Sequence, residues 1–250
     1  MNYFLLDIYK MYARMNAYTS FLVPKEHFTD HSILNLILYY PSPHEDAMKE
    51  ILTMYLKTLP MVQFYFITLR PQEQEVVIED HIMYIRGKET YVPGILDKTM
   101  RAIEYCHANM SYQYLVRSNI STVIDFNKLD ESQLTAKYMG CDQNNLQWLD
   151  PYGGITDQSL WGTHYIGGIG IIMTPDTVSF LLAHKDEIRM DVVDDVSLGA
   201  FFTKYNQFSL KTVATTHYNN ESPAICYRNR TSDRFEDVER MKRIVKRITQ

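Results

Sequence analysis

Residues 32–69 read SILNLILYYPSPHEDAMKEILTMYLKTLPMVQFYFITL, and this stretch decides the fold. Ser32–Tyr40 is a nearly continuous apolar run of strand length, which the Pro-Ser-Pro step at 41–43 ends. His44–Leu59 carries apolar residues at helical spacing, and Val62–Leu69 is a second β run. A strand, a helix and a strand in this order predict two parallel strands joined by a crossover helix.

The same alternation continues along the chain, so we expect an α/β fold with a mostly parallel sheet and helices on both faces. Ligands of such sheets bind at the carboxyl ends of the strands. Residues 142–162 are polar and rich in Gly, Pro and Asn, which predicts a long functional loop. The other predicted segments are a β run at Glu75–Ile85, a helix at Asp97–His107, strands at Tyr112–Val116 and Tyr165–Met173, and a helix at Thr177–Lys185.

Composition and charge exclude several classes of protein. The chain has 250 residues, of which 46% are hydrophobic and 22% charged, so a disordered chain, a collagen and a coiled coil are excluded. Because its formal net charge is −5, the chain lacks the overall positive charge of a nucleic-acid-binding protein, and no nucleic-acid partner is expected. Cys106, Cys141 and Cys226 are odd in number and widely spaced, which predicts reduced thiols and a cytoplasmic location.

The chain divides into three predicted parts. Residues 1–31 form an aromatic-rich lead-in, residues 32–232 the main domain, and residues 233–250 an amphipathic helix. No apolar run is long enough for a signal peptide or a membrane span. Two roles stay open for the apolar stripe of the C-terminal helix: docking on the body of the protein, or peripheral contact with an anionic membrane or a partner.

Asp194 and Asp195 are the first candidates for chemistry. In VVDDVSLGAFF, residues 192–202, they come just before a helical apolar run. A carboxylate is ionised at neutral pH and is able to take a proton from a sugar hydroxyl. Acidic residues at a helix N-terminus also stabilise the helix without any catalytic role. Both interpretations stay open on these residues alone.

Polar residues at two predicted strand ends are the second candidates. Arg117, Asn119 and Ser121 follow one strand, and Tyr40 and Ser42 follow another. An arginine at such a position is able to donate two hydrogen bonds to a diphosphate. For Arg117–Ser121, an ordinary strand-to-helix turn with Ser or Asn caps is the alternative interpretation.

Three glycines, Gly167, Gly168 and Gly170, follow the long loop. A dinucleotide fingerprint opens a helix after a strand, whereas these glycines precede an apolar strand-like run, so that fingerprint is not expected. Glycine in a strand often marks the close approach of a substrate or another backbone. Trp161 in the preceding loop offers an aromatic face to a sugar, although packing on the core accounts for it equally well.

Four blocks, taken in order, resemble the β-1,3-galactosyltransferase and fringe type of glycosyltransferase. They are ETYVPGILDKTMRAIEYC at 89–106, YQYLVRSNISTVIDF at 112–126, THYIGGIGIIMTPD at 163–176 and VDDVSLG at 193–199. The family reads roughly D-x-Y-x-N-L-T-x-K-T, T-D-D-D, G-G-G-Y-x-x-S and E-D-V-x-x-G. The chain looks still more like short soluble relatives found in large DNA viruses. The resemblance implies a GT-A fold, a nucleotide-sugar donor of the UDP type, and a glycan or glycoprotein acceptor.

The resemblance also assigns roles to single residues. It places Asp195 at the family's catalytic base and Asp194 at the neighbouring acid. It implies that Lys98 faces the diphosphate side of the donor and that the glycine block borders the acceptor. His217 lies downstream, where many of these enzymes have a metal-binding histidine.

One departure from the family concerns the metal. The family's acidic triplet holds a divalent cation such as Mn²⁺ beside the leaving diphosphate, but here it falls on Asn119, Ile120 and Ser121. Neutral oxygens bind a hard cation weakly. Either a metal is loosely held, or Arg117 and Lys98 neutralise the diphosphate.

The resemblance predicts an inverting glycosyltransferase that uses Asp195 as general base. One alternative is a catalytically inactive GT-A-like module that binds a nucleotide sugar or a glycan. Another is a different α/β enzyme, such as a nucleotidyltransferase, which would need an acidic metal cluster at the strand ends.

Overall fold

The structure is a computed structural model that describes residues 32–129, 134, 136–205, 210–217 and 223–250. The predicted lead-in, residues 1–31, lies outside these residues. Within the described residues the helices are α1 Pro43–Leu56, α2 Gly94–Asn109, α3 Pro175–Ala183, α4 Asp194–Tyr205 and α5 Arg234–Ile248. The strands are β1 Ile33–Leu38, β2 Val62–Arg70, β3 Val76–Glu79, β4 Ile82–Arg86, β5 Tyr114–Asn119, β6 Thr122–Ile124, β7 Tyr138–Gly140, β8 Gln143–Asn145, β9 His164–Ile166, β10 Gly170–Met173, β11 Leu210–Thr212, β12 Thr215–His217 and β13 Cys226–Arg228.

One large sheet organises the molecule. Its eight strands lie in the order β11-β7-β10-β5-β1-β2-β4-β3. Strands β10 and β3 run antiparallel to their neighbours, and the other pairings are parallel. A three-stranded sheet, β12-β13-β6, and a two-stranded ribbon, β8-β9, complete the β structure of the described residues. The predicted mostly parallel α/β fold is therefore confirmed.

Strand β1 shows why helices cover both faces of this sheet. All six of its residues are buried. Ile33 and Ile37 belong to a core shared with α1 and α5, whereas Leu34 and Leu36 belong to a second core shared with α2, α3 and α4. Because successive side chains of a strand point to opposite faces, a nearly continuous apolar run supplies both cores at once.

Local signals set the start of two helices. Ser42 caps α1, since its Oγ accepts from the Glu45 backbone N–H at 3.4 Å, and Pro43 takes the first helical position. Asp233 caps α5 by accepting from the backbone N–H groups of Phe235 and Glu236 at 2.9 and 3.2 Å. Such a cap typically contributes about 1 kcal/mol.

The apolar stripe of α5 packs on the body of the protein. Val238, Met241 and Ile244 are buried in the same core as Met48 and Ile51 of α1. Because this stripe is covered, the structure does not support the predicted contact of the helix with a membrane or a partner through it. None of the described helices is long and apolar enough to cross a membrane.

Several predicted segments differ in detail from the structure. The strand predicted at Tyr165–Met173 is divided by the turn 167–169 into β9 and β10. The β run Glu75–Ile85 is a hairpin of β3 and β4, and Asp80 at φ +52° forms its turn. The strand predicted to end at Val116 continues to Asn119, because its polar residues find partners inside the protein. The predicted loop 142–162 contains β8 and two turns of 3-10 helix, and its Leu146 is fully buried in a small core of its own.

Cys141 and Cys226 form a disulfide that joins the end of β7 to β13. The prediction of three reduced cysteines is wrong for this pair, while Cys106 is a free, buried thiol. The two cysteines are 85 positions apart, and only the packing of the small sheet against the large one brings them together. Disulfides persist mainly in oxidising compartments, so the cysteines no longer support the predicted cytoplasmic location. That location stays a prediction.

Candidate active site at the carboxyl ends of the strands

Three segments meet beside the carboxyl end of β5. They are the end of β5 itself, the turn 167–169 between β9 and β10, and the first turn of α4. Gly168 joins them, because its N–H and its carbonyl bind groups from the other two segments. This is the edge of the sheet where parallel α/β proteins bind their ligands.

Asp194 and Arg117 form a buried ion pair at this junction. Arg117 donates through Nη2 to Oδ2 of Asp194, and the two side chains are 2% and 3% exposed. Through Nη1, Arg117 also donates to the Gly168 carbonyl and, at 3.2 Å, to Oδ1 of Asn119. The surroundings of Arg117 therefore do not favour its predicted donor-binding role. Its guanidinium instead holds β5, the turn 167–169 and α4 together. Asp194 is part of the same scaffold.

Asp195 lies one residue further on and has a different environment. Its side chain is half-buried, Oδ2 accepts from the Gly168 N–H, and Oδ1 accepts from the Val196 N–H, each at 2.9 Å. Burial and the neighbouring Asp194 charge raise the pKa of this carboxyl to about 6, while the two N–H groups and Arg117 oppose the rise. A carboxylate with this pKa is a stronger base than an ordinary aspartate and is still mostly ionised at neutral pH.

Lys98 serves the scaffold as well. Its Nζ is buried and donates to both oxygens of Glu89, at 2.9 and 3.1 Å, and to the carbonyl of Tyr39 at 3.1 Å. Glu89 in turn accepts from the Leu69 N–H and the Thr68 hydroxyl. Burial lowers the pKa of Lys98, and Glu89 opposes that effect. The lysine connects the ends of β1 and β2 to α2, and its ammonium does not face solvent as the predicted donor-binding role requires.

The remaining predicted donor residues lie at the expected edge but differ in exposure. The Tyr40 side chain, two residues after the end of β1, is 55% exposed, so its ring is open to a ligand. Ser42 is half-buried and caps α1. Asn119 is half-buried with its Oδ1 bound to Arg117, and Ser121 is buried. Tyr40 is therefore the most accessible of these four side chains.

The glycines on the predicted acceptor side are required for close packing. A Cβ on Gly168 would lie 2.7 Å from Nη1 of Arg117, and one on Gly170 would lie 2.5 Å from Sγ of Cys141. Gly167 is buried, and its N–H donates to the Asp142 carbonyl at 2.7 Å. The close approach predicted for these glycines is thus made by the protein itself.

Three exposed aromatic side chains are candidates for contact with a ligand. Trp161 is 42% exposed, as the predicted sugar-binding role requires. The Tyr91 and Tyr152 rings contact each other at a tilt of 40°, with centroids 5.4 Å apart, and both side chains are exposed. Asp150 and Asp195 lie within electrostatic range of the Tyr91 hydroxyl, whose pKa is raised chiefly by burial. Tyr91 is one of the residues that match the first block of the family resemblance.

The predicted metal position is not a cluster of metal ligands. His217 lies in β12, in register with Arg228 of β13. Among the residues that the structure describes, no group of three or more His, Cys, Asp or Glu side chains is arranged to hold a metal ion. The role of His217 stays a prediction.

Arg228 and Arg230 are the residues that sequence analysis missed. The antiparallel pairing of β13 with β6 places Arg228 opposite Thr122, immediately after the turn that contains Ser121. The available signal was the alternation Arg-Asn-Arg at 228–230 after a short apolar run, which is typical of a strand end with one charged face.

The fold and the site define an architecture, a GT-A-like α/β domain with polar groups gathered at the strand ends. A similar solved structure is a glycosyltransferase involved in the glycosylation of the major capsid of PBCV-1, with 9% identity, a TM-score of 0.50, and coverage of 84% of this chain and 98% of that chain. An active-site mutant of LgtC aligns at 9% identity with a TM-score of 0.44, over 86% of this chain and 96% of that chain. No family model and no curated protein matches the sequence. The first likeness is one of fold, and the finer resemblance to the fringe type stays a prediction.

Proposed function

We propose that this protein is an inverting glycosyltransferase that moves a sugar from a nucleotide-sugar donor, of the UDP type, to a hydroxyl group of a glycan. The observation that carries the proposal is the state of Asp195. It is a half-buried carboxylate with a pKa of about 6, held by two backbone N–H groups at the ligand-binding edge of a GT-A-like sheet. The fold supports the donor class, because it is shared with a glycosyltransferase.

The proposed reaction is a single displacement at the anomeric carbon of the donor sugar. The acceptor oxygen forms the new bond to that carbon, and its proton passes to the Asp195 carboxylate. The bond from the anomeric carbon to the diphosphate oxygen breaks, and its electron pair leaves with the nucleoside diphosphate. Because attack and departure lie on opposite sides of the carbon, the configuration inverts.

The surrounding residues have supporting roles in this proposal. Arg117 and Asp194 hold the turn 167–169 against α4, which keeps the Asp195 carboxylate in a fixed position. Tyr40, Trp161 and the Tyr91–Tyr152 pair offer exposed rings to the sugars or to the base of the donor.

The test is transfer and donor hydrolysis measured over a panel of nucleotide sugars, with Mn²⁺ and with EDTA. Asp195→Asn is expected to lower kcat by about 10²–10⁴-fold, the usual contribution of a general base, while donor binding is kept. Asp191→Asn is the matched control, because Asp191 is exposed and paired with Arg189 outside the site.

Two results would contradict the proposal. Unchanged turnover in Asp195→Asn would remove the general base. A wild-type protein that binds a nucleotide sugar tightly but neither hydrolyses nor transfers it would instead be the inactive binding module, an alternative that the internally paired Lys98 and Arg117 favour.

A further inference from the structure

The residues at the predicted metal position do not fit a divalent cation. Oδ1 of Asn119 already accepts from Nη1 of Arg117 at 3.2 Å, so a guanidinium lies within hydrogen-bond reach of the oxygen that would bind the metal. Ser121 is buried and offers one neutral hydroxyl. Hard cations prefer several carboxylate or carbonyl oxygens, and a neighbouring guanidinium repels them. The proposed transfer therefore uses no metal at this position.

The two cations predicted to replace the metal are engaged elsewhere. Lys98 is buried against Glu89, and Arg117 is buried against Asp194. A leaving nucleoside diphosphate carries several negative charges, which a site with GT-A chemistry has to stabilise. Another source of positive charge at the same strand end is needed.

Arg228 and Arg230 flank this strand end on the small sheet. Asn229, between them, donates its backbone N–H and its Nδ2 to the Ser121 carbonyl, at 3.0 and 3.1 Å. Asn229 is fully buried. Because neighbouring residues of an extended chain face opposite sides, the two arginines share the side away from Asn229. The pair is thereby anchored beside Ser121.

Neither guanidinium has a partner among the residues that the structure describes. Arg228 is half-exposed and Arg230 is exposed. The backbone of Arg228 pairs with β6 and β12, but neither side chain makes a hydrogen bond or an ion pair with a described residue. The hydroxyls of Tyr165 and Tyr91 each lie within electrostatic range of one of these arginines and of Asp195, the proposed general base. Burial and the charge of Asp195 raise the pKa of both hydroxyls, while Arg228 opposes the rise at Tyr165 and Arg230 opposes it at Tyr91.

We propose that Arg228 and Arg230 bind the diphosphate of the donor and neutralise its charge as it leaves, in place of a divalent cation at Asn119 and Ser121. The inference rests on the proposed function, because the diphosphate is the leaving group of that transfer. Two guanidinium groups suit this task, since each presents a planar pair of donors that matches two phosphate oxygens. The electron pair of the broken bond ends on a terminal phosphate oxygen, where the two positive charges stabilise it.

The experiment is titration calorimetry in EDTA with UDP, GDP, ADP and CDP, each compared with its monophosphate. The proteins are the wild type, Arg228→Gln, Arg230→Gln and the double variant, with a melting temperature recorded for each. The control is Arg243→Gln, which removes an exposed arginine from α5.

The wild type is expected to bind one diphosphate more tightly than its monophosphate without any metal. Each single substitution should weaken diphosphate binding by about tenfold or more, the usual effect of losing a charge-assisted hydrogen bond, and should leave monophosphate binding nearly unchanged. Arg243→Gln should behave as the wild type does.

Three outcomes would overturn the inference: equal diphosphate affinity in the wild type and the double variant, diphosphate binding that appears only with Mn²⁺, or no binding of any diphosphate. Since the titration needs no sugar transfer, the two proposals fail separately. A diphosphate preference that depends on both arginines, in a protein without transfer, would uphold the binding site and reject the enzyme. Sugar transfer that depends on Asp195 but not on the two arginines would uphold the enzyme and reject the proposed diphosphate site.

Discussion

Two adjacent aspartates in the first turn of α4 have different surroundings because of the geometry of the helix. Consecutive helical residues point about 100° apart, so Asp194 meets Arg117 in the interior while Asp195 faces the turn at Gly168. One carboxylate is neutralised by a guanidinium and the other keeps a raised pKa. A pair of acids with separate environments is a common arrangement at catalytic sites.

The raised pKa of Asp195 predicts an acid limb in the pH profile. Only the ionised carboxylate accepts a proton, so kcat/KM should rise with pH through about 6 and level off above about 7. At pH 5 roughly one tenth of the molecules would hold the active form, by the usual titration of a single acid. The measurement is kcat/KM for transfer as a function of pH. A profile that stays flat across this range would contradict the assignment.

Asp194→Asn separates positioning from catalysis. The Asp194 charge raises the pKa of Asp195, so its removal should move the acid limb to lower pH. Arg117 would lose its buried partner, which typically costs about 3–5 kcal/mol of stability. The measurements are the pH profile of kcat/KM and urea unfolding.

Asp191→Asn is again the matched control for this prediction. It removes an exposed ion pair with Arg189, and such pairs contribute about 0–1 kcal/mol. An acid limb at the same pH in Asp194→Asn and the wild type would show that the two carboxyls do not interact.

At the scale of the element, the contact of α4 with β9 positions the candidate base. Gly199 lies against Tyr165, and a Cβ at this glycine would come within 2.2 Å of the Tyr165 Cβ and 2.9 Å of the His164 carbonyl oxygen. Neither neighbouring atom is able to move aside by a simple side-chain rotation, because one is a Cβ and the other belongs to the backbone. The glycine of the VDDVSLG block is therefore explained by packing.

Gly199→Ala is expected to push α4 away from β9. Forcing a methyl group into a filled interface typically costs about 1–3 kcal/mol, and the shift should also lower the transfer rate by moving Asp195 relative to Gly168. Thermal unfolding and kcat measure the two effects. Lys204→Ala, which removes an exposed ion pair with Glu187 on the same helix, is the control. Unchanged stability in Gly199→Ala would contradict the packing argument.

At the scale of the whole molecule, the disulfide joins the two sheets that form the candidate site. Cys141 follows β7 of the large sheet, and Cys226 begins β13, which leads to the two arginines. The disulfide closes a long loop, with cysteines 85 positions apart. Chain-entropy arguments assign such a loop about 4.6 kcal/mol of stabilisation, chiefly by restricting the unfolded chain.

Removing the disulfide should lower the melting temperature. We expect the double variant Cys141→Ala, Cys226→Ala to lose about 2–5 kcal/mol, and dithiothreitol to destabilise the wild type similarly. Dithiothreitol should leave the double variant unaffected, which serves as the control. A wild-type melting temperature that is the same with and without the reductant would show that the disulfide does not stabilise the protein.

The amino-acid sequence by itself determined the layered fold, because its signals are local. The apolar runs of β1 and β2, the cap at Ser42 and the helical period of α5 act within a few residues of each other. The start of α4 at Asp194, and with it the placement of two acids at a helix N-terminus, could be predicted for the same reason.

Tertiary structure alone decided which charges are free. The sequence predicts that Lys98 and Arg117 bind a diphosphate. In the folded chain, however, Lys98 is paired with Glu89 and Arg117 with Asp194. The availability of Arg228 follows from a strand pairing between segments about a hundred residues apart, and the disulfide from a contact over 85 positions. A charged residue that pairs with a residue distant in sequence has the same kind of local sequence as an unpaired one. Only the folded structure therefore shows whether its charge is paired.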